Sequence, residues 1–205
     1  MYKRVMKYHL KARFGNLGFL VLLLSSFFIA TGCSSVNVKK YQVEIRVPMT
    51  SKIAPPSRIR LVLRAADSLK DPNLSRTEEY VLTEKNPLST TLIKAAANRM
   101  TAIGIEPLED KEAHLSSGRV LFVITRLEAV LVKQNWLAST ELRAERYSKE
   151  GKLLGKWSAI GRSSYQNSRL FAGGAGIAMG NAMSKALGKL PWRAIALGRQ
   201  KPPGK

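Results

Sequence analysis

One cysteine, at position 33, stands in this chain of 205 residues. A single thiol closes no internal disulfide, and zinc or iron–sulfur sites built on several cysteines are excluded with it. Histidine is almost as scarce. His9 lies in a basic leader and His114 in a polar connector, so the paired imidazoles of common metal centres are missing. Acids are few as well, 14 against 34 Lys and Arg. Beyond Glu150 there is none, while Lys152, Lys156, Arg162, Arg169, Lys185, Lys189, Arg193, Arg199, Lys201 and Lys205 follow. This last stretch projects a positive field that attracts polyanions and anionic surfaces, although the same excess also serves plain solubility.

What is present begins with the leader. Met1 to Arg13 carries Lys3, Arg4, Lys7, Lys11 and Arg13 and no acid. Leu17 to Ala30 is apolar, shorter than the ~20 residues that span a bilayer comfortably. Ala30-Thr31-Gly32 then supplies small residues immediately before Cys33. Positive charge, a short apolar core and a small-residue cleavage site are the three parts of an export signal. The alternatives are an uncleaved anchor and an ordinary signal in which the cysteine is incidental.

The placement of Cys33 resembles that of a lipoprotein signal peptide. The resemblance implies cleavage between Gly32 and Cys33, a diacylglycerol on the Cys33 thiol and a fatty acid such as palmitate on the new amino group. Three acyl chains hold a protein to a membrane far more firmly than one. Ala30 departs from the pattern, since such signals most often carry Leu there. Ser34 stands where Asp would retain a lipoprotein at the inner membrane, so the expected location is the outer membrane, facing the periplasm.

Residues 1–32 are therefore expected as signal peptide, 33–40 as a tether, 41–192 as one domain and 193–205 as a basic flexible tail. Tyr41 to Val47 alternates apolar and polar residues and reads as a strand ended by Pro48. Arg58 to Arg64 repeats the alternation, and Glu79 to Thr83 adds a short strand. Ala65 to Thr77, with Asp71-Pro72-Asn73 at its centre, reads as an exposed excursion. Asn86-Pro87 predicts a helix start with Asn as cap and Pro in the first turn. Leu92, Ile93, Ala96, Met100 and Ile103 share one face of that helix, and Gly104 ends it.

Ile105 to Leu108 is a short strand, and Val120-Leu121-Phe122-Val123-Ile124 is rich enough in β-branched residues for a central one. The runs 136–147 and 152–163 flank Glu150-Gly151, a hairpin signal. A last helix over 170–190 stacks Met179, Met183, Leu187 and Leu190 on one face. The sum is an α+β fold, with a mainly antiparallel sheet of about five or six strands and two helices packed on one side.

Little here promises catalysis. Glu106, Glu109, Asp110 and Glu112 cluster in a connector, where a solvated turn explains them better than a glycosidase pair. Gly173-Gly174-Ala175-Gly176 lacks the Gly-Lys-Ser/Thr that would complete a nucleotide loop. Gly176, Gly180, Ser184 and Gly188 recur every fourth position, a spacing that lets a helix approach the sheet or a partner's helix closely. No cofactor or metal is expected, and no enzyme. Arg162 and Arg169, just ahead of the last helix, and Lys185 and Lys189, on its polar face, are the candidate anion-binding residues. For an exported chain the relevant anions are phospholipid headgroups and phosphorylated glycolipid, not nucleic acid.

Several of these elements together resemble small outer-membrane lipoproteins of the YajG-like or transport-auxiliary type. They are the signal through Cys33, the strand Arg58 to Arg64 and the helix ending in Thr101-Ala102-Ile103-Gly104-Ile105. The turn Glu150-Gly151-Lys152-Leu153 and the closing Ala-rich helix complete the set. The resemblance covers most of residues 41–190 and implies a non-enzymatic accessory or adaptor of an envelope transport or assembly system, acting on protein partners. The alternative is a binding module for an anionic envelope lipid or glycolipid, carried by the basic C-terminal third.

Overall fold

The computed structural model describes residues 38–199, apart from 70, 72, 78 and 167–170. Gly32, Cys33 and Arg169 lie outside the described residues. In chain order the elements are β1 (Lys39–Val43), β2 (Arg60–Asp67), β3 (Ser75–Arg76), β4 (Tyr80–Glu84) and α1 (Leu88–Ala102). Then come β5 (Glu106–Leu108), a 3-10 helix (Asp110–Leu115), β6 (Arg119–Val132), β7 (Asn135–Tyr147) and β8 (Leu153–Gln166). Helices α2 (Phe171–Lys189) and α3 (Trp192–Leu197) close the described chain.

The α+β class is the one expected, with the strands divided between two mixed sheets. The smaller has the order β1-β4-β3 and the larger β5-β2-β6-β7-β8. The antiparallel part of the larger sheet is the meander β6–β7–β8, whereas β2 pairs parallel with both β5 and β6. Strand β2 reaches those neighbours through long connections that carry the chain back across the sheet, which is what parallel pairing requires. The first strand is shorter than its alternation suggests. It pairs with β4 only as far as Val43, and the following Glu44 to Val47 leaves the sheet and crosses α2.

The helix α1 starts one residue later than Asn86-Pro87 predicts. Pro87 is the N-cap, and the Glu84 carboxylate accepts a hydrogen bond from the Leu88 N–H at 3.0 Å, so Asn86 is not needed as a cap. Its end is as expected. Ile103 is the C-cap, and Gly104 follows at φ +83° with the Pro55 carbonyl against it, where no side chain fits.

Two stretches expected at the surface contribute to the core. Leu74, within the excursion 65–77, is buried, because β2 runs on to Asp67 and β3 brings the chain back against β4. Residues 193–197, expected in the tail, belong to α3, whose Ile195 and Ala196 are buried. The Trp192 indole N–H donates to the Leu187 carbonyl at 2.8 Å and fixes α3 to the end of α2.

Both long helices lie on the inner face of the larger sheet and touch each other, with Arg99 donating to the Ser184 hydroxyl at 3.1 Å. Gly161 of β8 admits α2 so closely that a Cβ there would fall 1.9 Å from the Ala182 carbonyl oxygen. Across the helix, Gly176 and Gly180 receive the backbone of Glu44 and Arg46 in the same manner. The small-residue stripe thus packs against the chain's own extended segment, and Gly188, at its end, faces open space. Phe171 joins the two sheets, with its ring 4.9 Å from Tyr41, 5.2 Å from Tyr80 and 5.0 Å from Trp136.

Candidate functional site

The other face of the larger sheet is built differently. A β-bulge between Ile124 and Arg126 shifts the alternation of β6 by one residue. The shift keeps Leu127 and Ala129 inward, after Phe122 and Ile124, and turns Arg126, Glu128, Val130 and Val132 outward. Cross-strand register then sets three rows on the outer face: Val130–Leu137–Ser164, Glu128–Ser139–Arg162 and Arg126–Glu141–Ile160. Val130, Leu137 and Ile160 are 46, 45 and 44% exposed, and Val132 a further 46%. These are large apolar side chains on the face opposite both long helices.

Arg162 and Lys185, two of the four residues expected to bind anions, come together here. They line a shallow pocket of about 530 Å³ with Glu128, Val130, Leu137, Ser139 and Ser164. Neither makes an ion pair among the described residues. Lys189 does not join them, because its ammonium donates to the Ile160 carbonyl of edge strand β8 at 2.8 Å. That contact caps one open backbone acceptor of the edge, a common use of lysine at such positions.

Elsewhere on this face several charges are paired. Arg126 pairs with Glu128 at 2.6 Å, Arg64 with Asp110 at 2.9 Å and Arg60 with Glu106 at 2.8 Å. Glu145 is the most enclosed of the described acids, 7% exposed, and holds three partners. One carboxylate oxygen accepts from Tyr147 Oη at 2.6 Å, and the other meets Arg143 at 3.0 Å and Lys156 at 3.2 Å. The bond from Tyr147 leads in holding the carboxyl below its usual range, with Lys156 and Arg143 adding to it against the opposing effect of burial. The same bond raises the Tyr147 phenol.

His114, the acids of the connector and the glycine run take surface or structural places. His114 is exposed in the 3-10 helix, and its carbonyl accepts from Lys149 at 3.3 Å. Glu109 and Glu112 cap that helix reciprocally, and Glu109 also pairs with Lys111. Gly173 and Gly174 lie inside α2 and form no loop. Among the described residues no three His, Cys, Asp or Glu side chains converge as a metal site would need. No described helix is long and apolar enough to cross a membrane.

No protein-family model matches the sequence, and no curated protein matches it. Solved structures do. Protein XCC0632 from Xanthomonas campestris, of the family-model DUF330, superposes with a TM-score of 0.50 over 77% of this chain and 96% of its own, at 16% identity. Lipoprotein GNA1162 from Neisseria meningitidis gives a TM-score of 0.39 at 11% identity, over 54% of this chain and 87% of its own. A minor lipoprotein from Acinetobacter baumannii gives 0.41 at 12%, over 67% and 92%. The likeness to XCC0632 is one of fold.

Sequence reasoning missed a second concavity. The loop 54–59, the end of α1 and the helix α3 enclose a cleft of about 830 Å³, lined by Ile59, Ile103, Ile105, Trp192 and Leu197 among others. Its signal was available: Trp192, Ile195 and Ala196 stand at helical spacing, which a frayed tail would not show.

Proposed function

We propose that this protein is a lipid-anchored, non-enzymatic accessory of an envelope transport or assembly system that binds a protein partner across the outer face of β6–β8. The observation that carries the reading is the set Val130, Val132, Leu137 and Ile160, exposed together on a face where Arg126–Glu128 and the cluster Arg143–Glu145–Lys156 are already paired. An apolar centre with a polar rim is the anatomy of a protein interface. The leader ending at Gly32-Cys33 supports attachment through acyl chains, and Ser34 supports the outer membrane, facing the periplasm.

The test places a photo-crosslinking residue at Leu137, at Ile160 and, as control, at exposed Lys94 of α1, in intact cells. The expected result is one shared protein adduct from the two outer-face positions and none from Lys94. Fatty-acid labelling should disappear in Cys33→Ala. Adducts equal at all three positions would remove the outer-face assignment, and unchanged labelling would remove the anchor.

A second reading is favoured by one observation, the pairing of Arg162 and Lys185 in the 530 Å³ pocket. The double variant Arg162→Gln/Lys185→Gln should bind anionic vesicles several-fold more weakly at low salt. The difference should shrink at high salt, where screening shortens the reach of each charge. Equal binding at low salt would leave the pair a solubilising feature.

A further inference from the structure

The cleft beside α3 shares no residue with the outer face of β6–β8 and calls for a different occupant. Its lining is built mainly of apolar residues, with Ile59, Ile103, Ile105, Trp192 and Leu197 the largest, and Arg193 alone is charged. Ile103 is 42% exposed, Leu197 55%, and Ile53, 77% exposed, lines an adjoining cavity of about 300 Å³ that shares Ala54 and Ile105 with the cleft. A volume of 830 Å³ falls in the ~300–1,000 Å³ range of small-molecule sites, whose usual make-up is apolar walls and a few polar groups that orient the ligand.

Many polar groups of the walls are already in use. Ser57 N–H donates to the Gly104 carbonyl, and Glu106 N–H to the Ile59 carbonyl. Ile103 and Ile105 N–H both donate to the Met100 carbonyl, and Ile195 N–H to that of Pro191. The Ser57 hydroxyl accepts from Ile59 N–H, and the Trp192 indole is bound to Leu187. An extended peptide entering here would bring an amide at every residue and find few partners, each unmet group carrying a desolvation cost. A hydrocarbon chain brings none. The one charged side chain of the lining, the Arg193 guanidinium, makes no ion pair among the described residues and has the fork geometry that binds a carboxylate through two parallel hydrogen bonds.

We infer that this cleft binds a long-chain fatty acid, with the acyl chain along Ile59, Ile103, Ile105 and Trp192 and the carboxylate on Arg193. The reading goes beyond the adaptor role and does not depend on it.

The probe is parinaric acid, a fluorescent polyene fatty acid, added to the full-length chain held in nanodiscs of neutral phosphatidylcholine. Binding is read as energy transfer from tryptophan, with Trp192→Phe as the blank. The expected result is saturable binding at one site, weakened at least tenfold by Ile103→Glu and separately by Leu197→Glu. Both residues are exposed and sit on different elements, so circular dichroism should show each variant folded. Arg193→Gln should weaken the acid several-fold and leave the parinaric methyl ester unaffected. Non-saturable signal, or binding indifferent to both cleft variants, would overturn the site. Equal binding of acid and ester by the unaltered chain would overturn the carboxylate contact, as would tighter binding of lysophosphatidylglycerol than of the acid. A crosslink from Ile103 to a helical partner, with no fatty-acid binding, would assign the cleft to that partner instead.

Discussion

On its inner side β8 presents Trp157, Ala159 and Gly161 to α2, and on its outer side, one residue along, Lys156, Ile160 and Arg162 to solvent. Strand β7 divides likewise, with Trp136, Ala138 and Leu142 inward and Leu137, Ser139 and Glu141 outward. Both faces carry apolar residues, so hydrophobicity alone does not tell them apart. What separates them is the removal of side chains. The inner side uses Gly161, Gly176 and Gly180 to bring backbone against backbone, whereas the outer side keeps whole Val, Leu and Ile side chains with nothing packed on them. A face shaped to exclude every extra atom serves stability, and one that leaves large apolar groups waiting serves association.

The comparison breaks most readily at the glycines. A Cβ on Gly180 would stand 1.9 Å from the Arg46 carbonyl oxygen, and one on Gly161 as close to Ala182. Each contact is with backbone, which cannot swing aside as the tip of a flexible side chain can. Gly180→Ala and Gly161→Ala should each cost about 2 kcal/mol in urea unfolding, the ordinary range for overpacking. Gly188→Ala meets nothing within 4 Å on an exposed helical position, so it should gain about 0.5–1 kcal/mol from helix propensity. The same substitution should therefore change sign along one helix. A gain at Gly180 matching that at Gly188 would mean that helix propensity, not the approach of Glu44–Arg46, decides the outcome.

Much of this division was legible in the sequence. Period-two alternation placed β2 nearly as it stands, the short strand expected over 79–83 is close to β4, and the β-branched run Val120–Ile124 correctly marked the central strand. Gly104 ended α1 as expected because a left-handed position leaves little choice of residue. The failures came where long-range partners decide. Nothing local in Leu74 says that β3 returns it to the core, and nothing local in Glu44–Val47 says that a helix will lie beneath it. Of the candidate site, the sequence picked out Arg162 and Lys185, which do share a pocket, but gave no hint that Lys189 is tied to the Ile160 carbonyl. The apolar outer rows escaped notice because the bulge at Ile124/Arg126 resets which residues of β6 face outward.

Glu145 tests whether the outer face also holds the fold together. Its carboxyl sits below the usual range in the folded protein, through Tyr147 first and then Lys156 and Arg143. Its contribution should be complete above the unfolded carboxyl pKa of roughly 4.3 and fade as pH falls through the lower folded value. Glu145→Gln should cost about 1–2 kcal/mol at pH 7. Denaturation of both proteins at pH 7 and again near pH 3 should show the gap narrowing in acid. A gap that is the same at both pH values would mean that shape, not charge, makes Glu145 useful.

The smallest effect on stability is expected where the effect on function should be greatest. Leu137 and Ile160 are nearly half exposed, and their removal opens no cavity. Leu137→Ser/Ile160→Ser should therefore unfold within about 0.5 kcal/mol of the unaltered chain, as surface changes away from packed contacts do. If the outer face is an interface, its apolar centre supplies much of the binding while the paired charges at its rim supply little. The double variant should then lose most of the partner adduct recovered by crosslinking from neighbouring Ser139, at unchanged protein level. Arg126→Gln, which breaks an exposed ion pair at the rim, should leave that adduct nearly intact. A variant that folds normally and still captures the partner would show that the exposed rows are not what the partner reads. A loss of stability of 2 kcal/mol or more would instead mean that the outer face is packed against something within the chain, and the contrast between the two faces would fall with it.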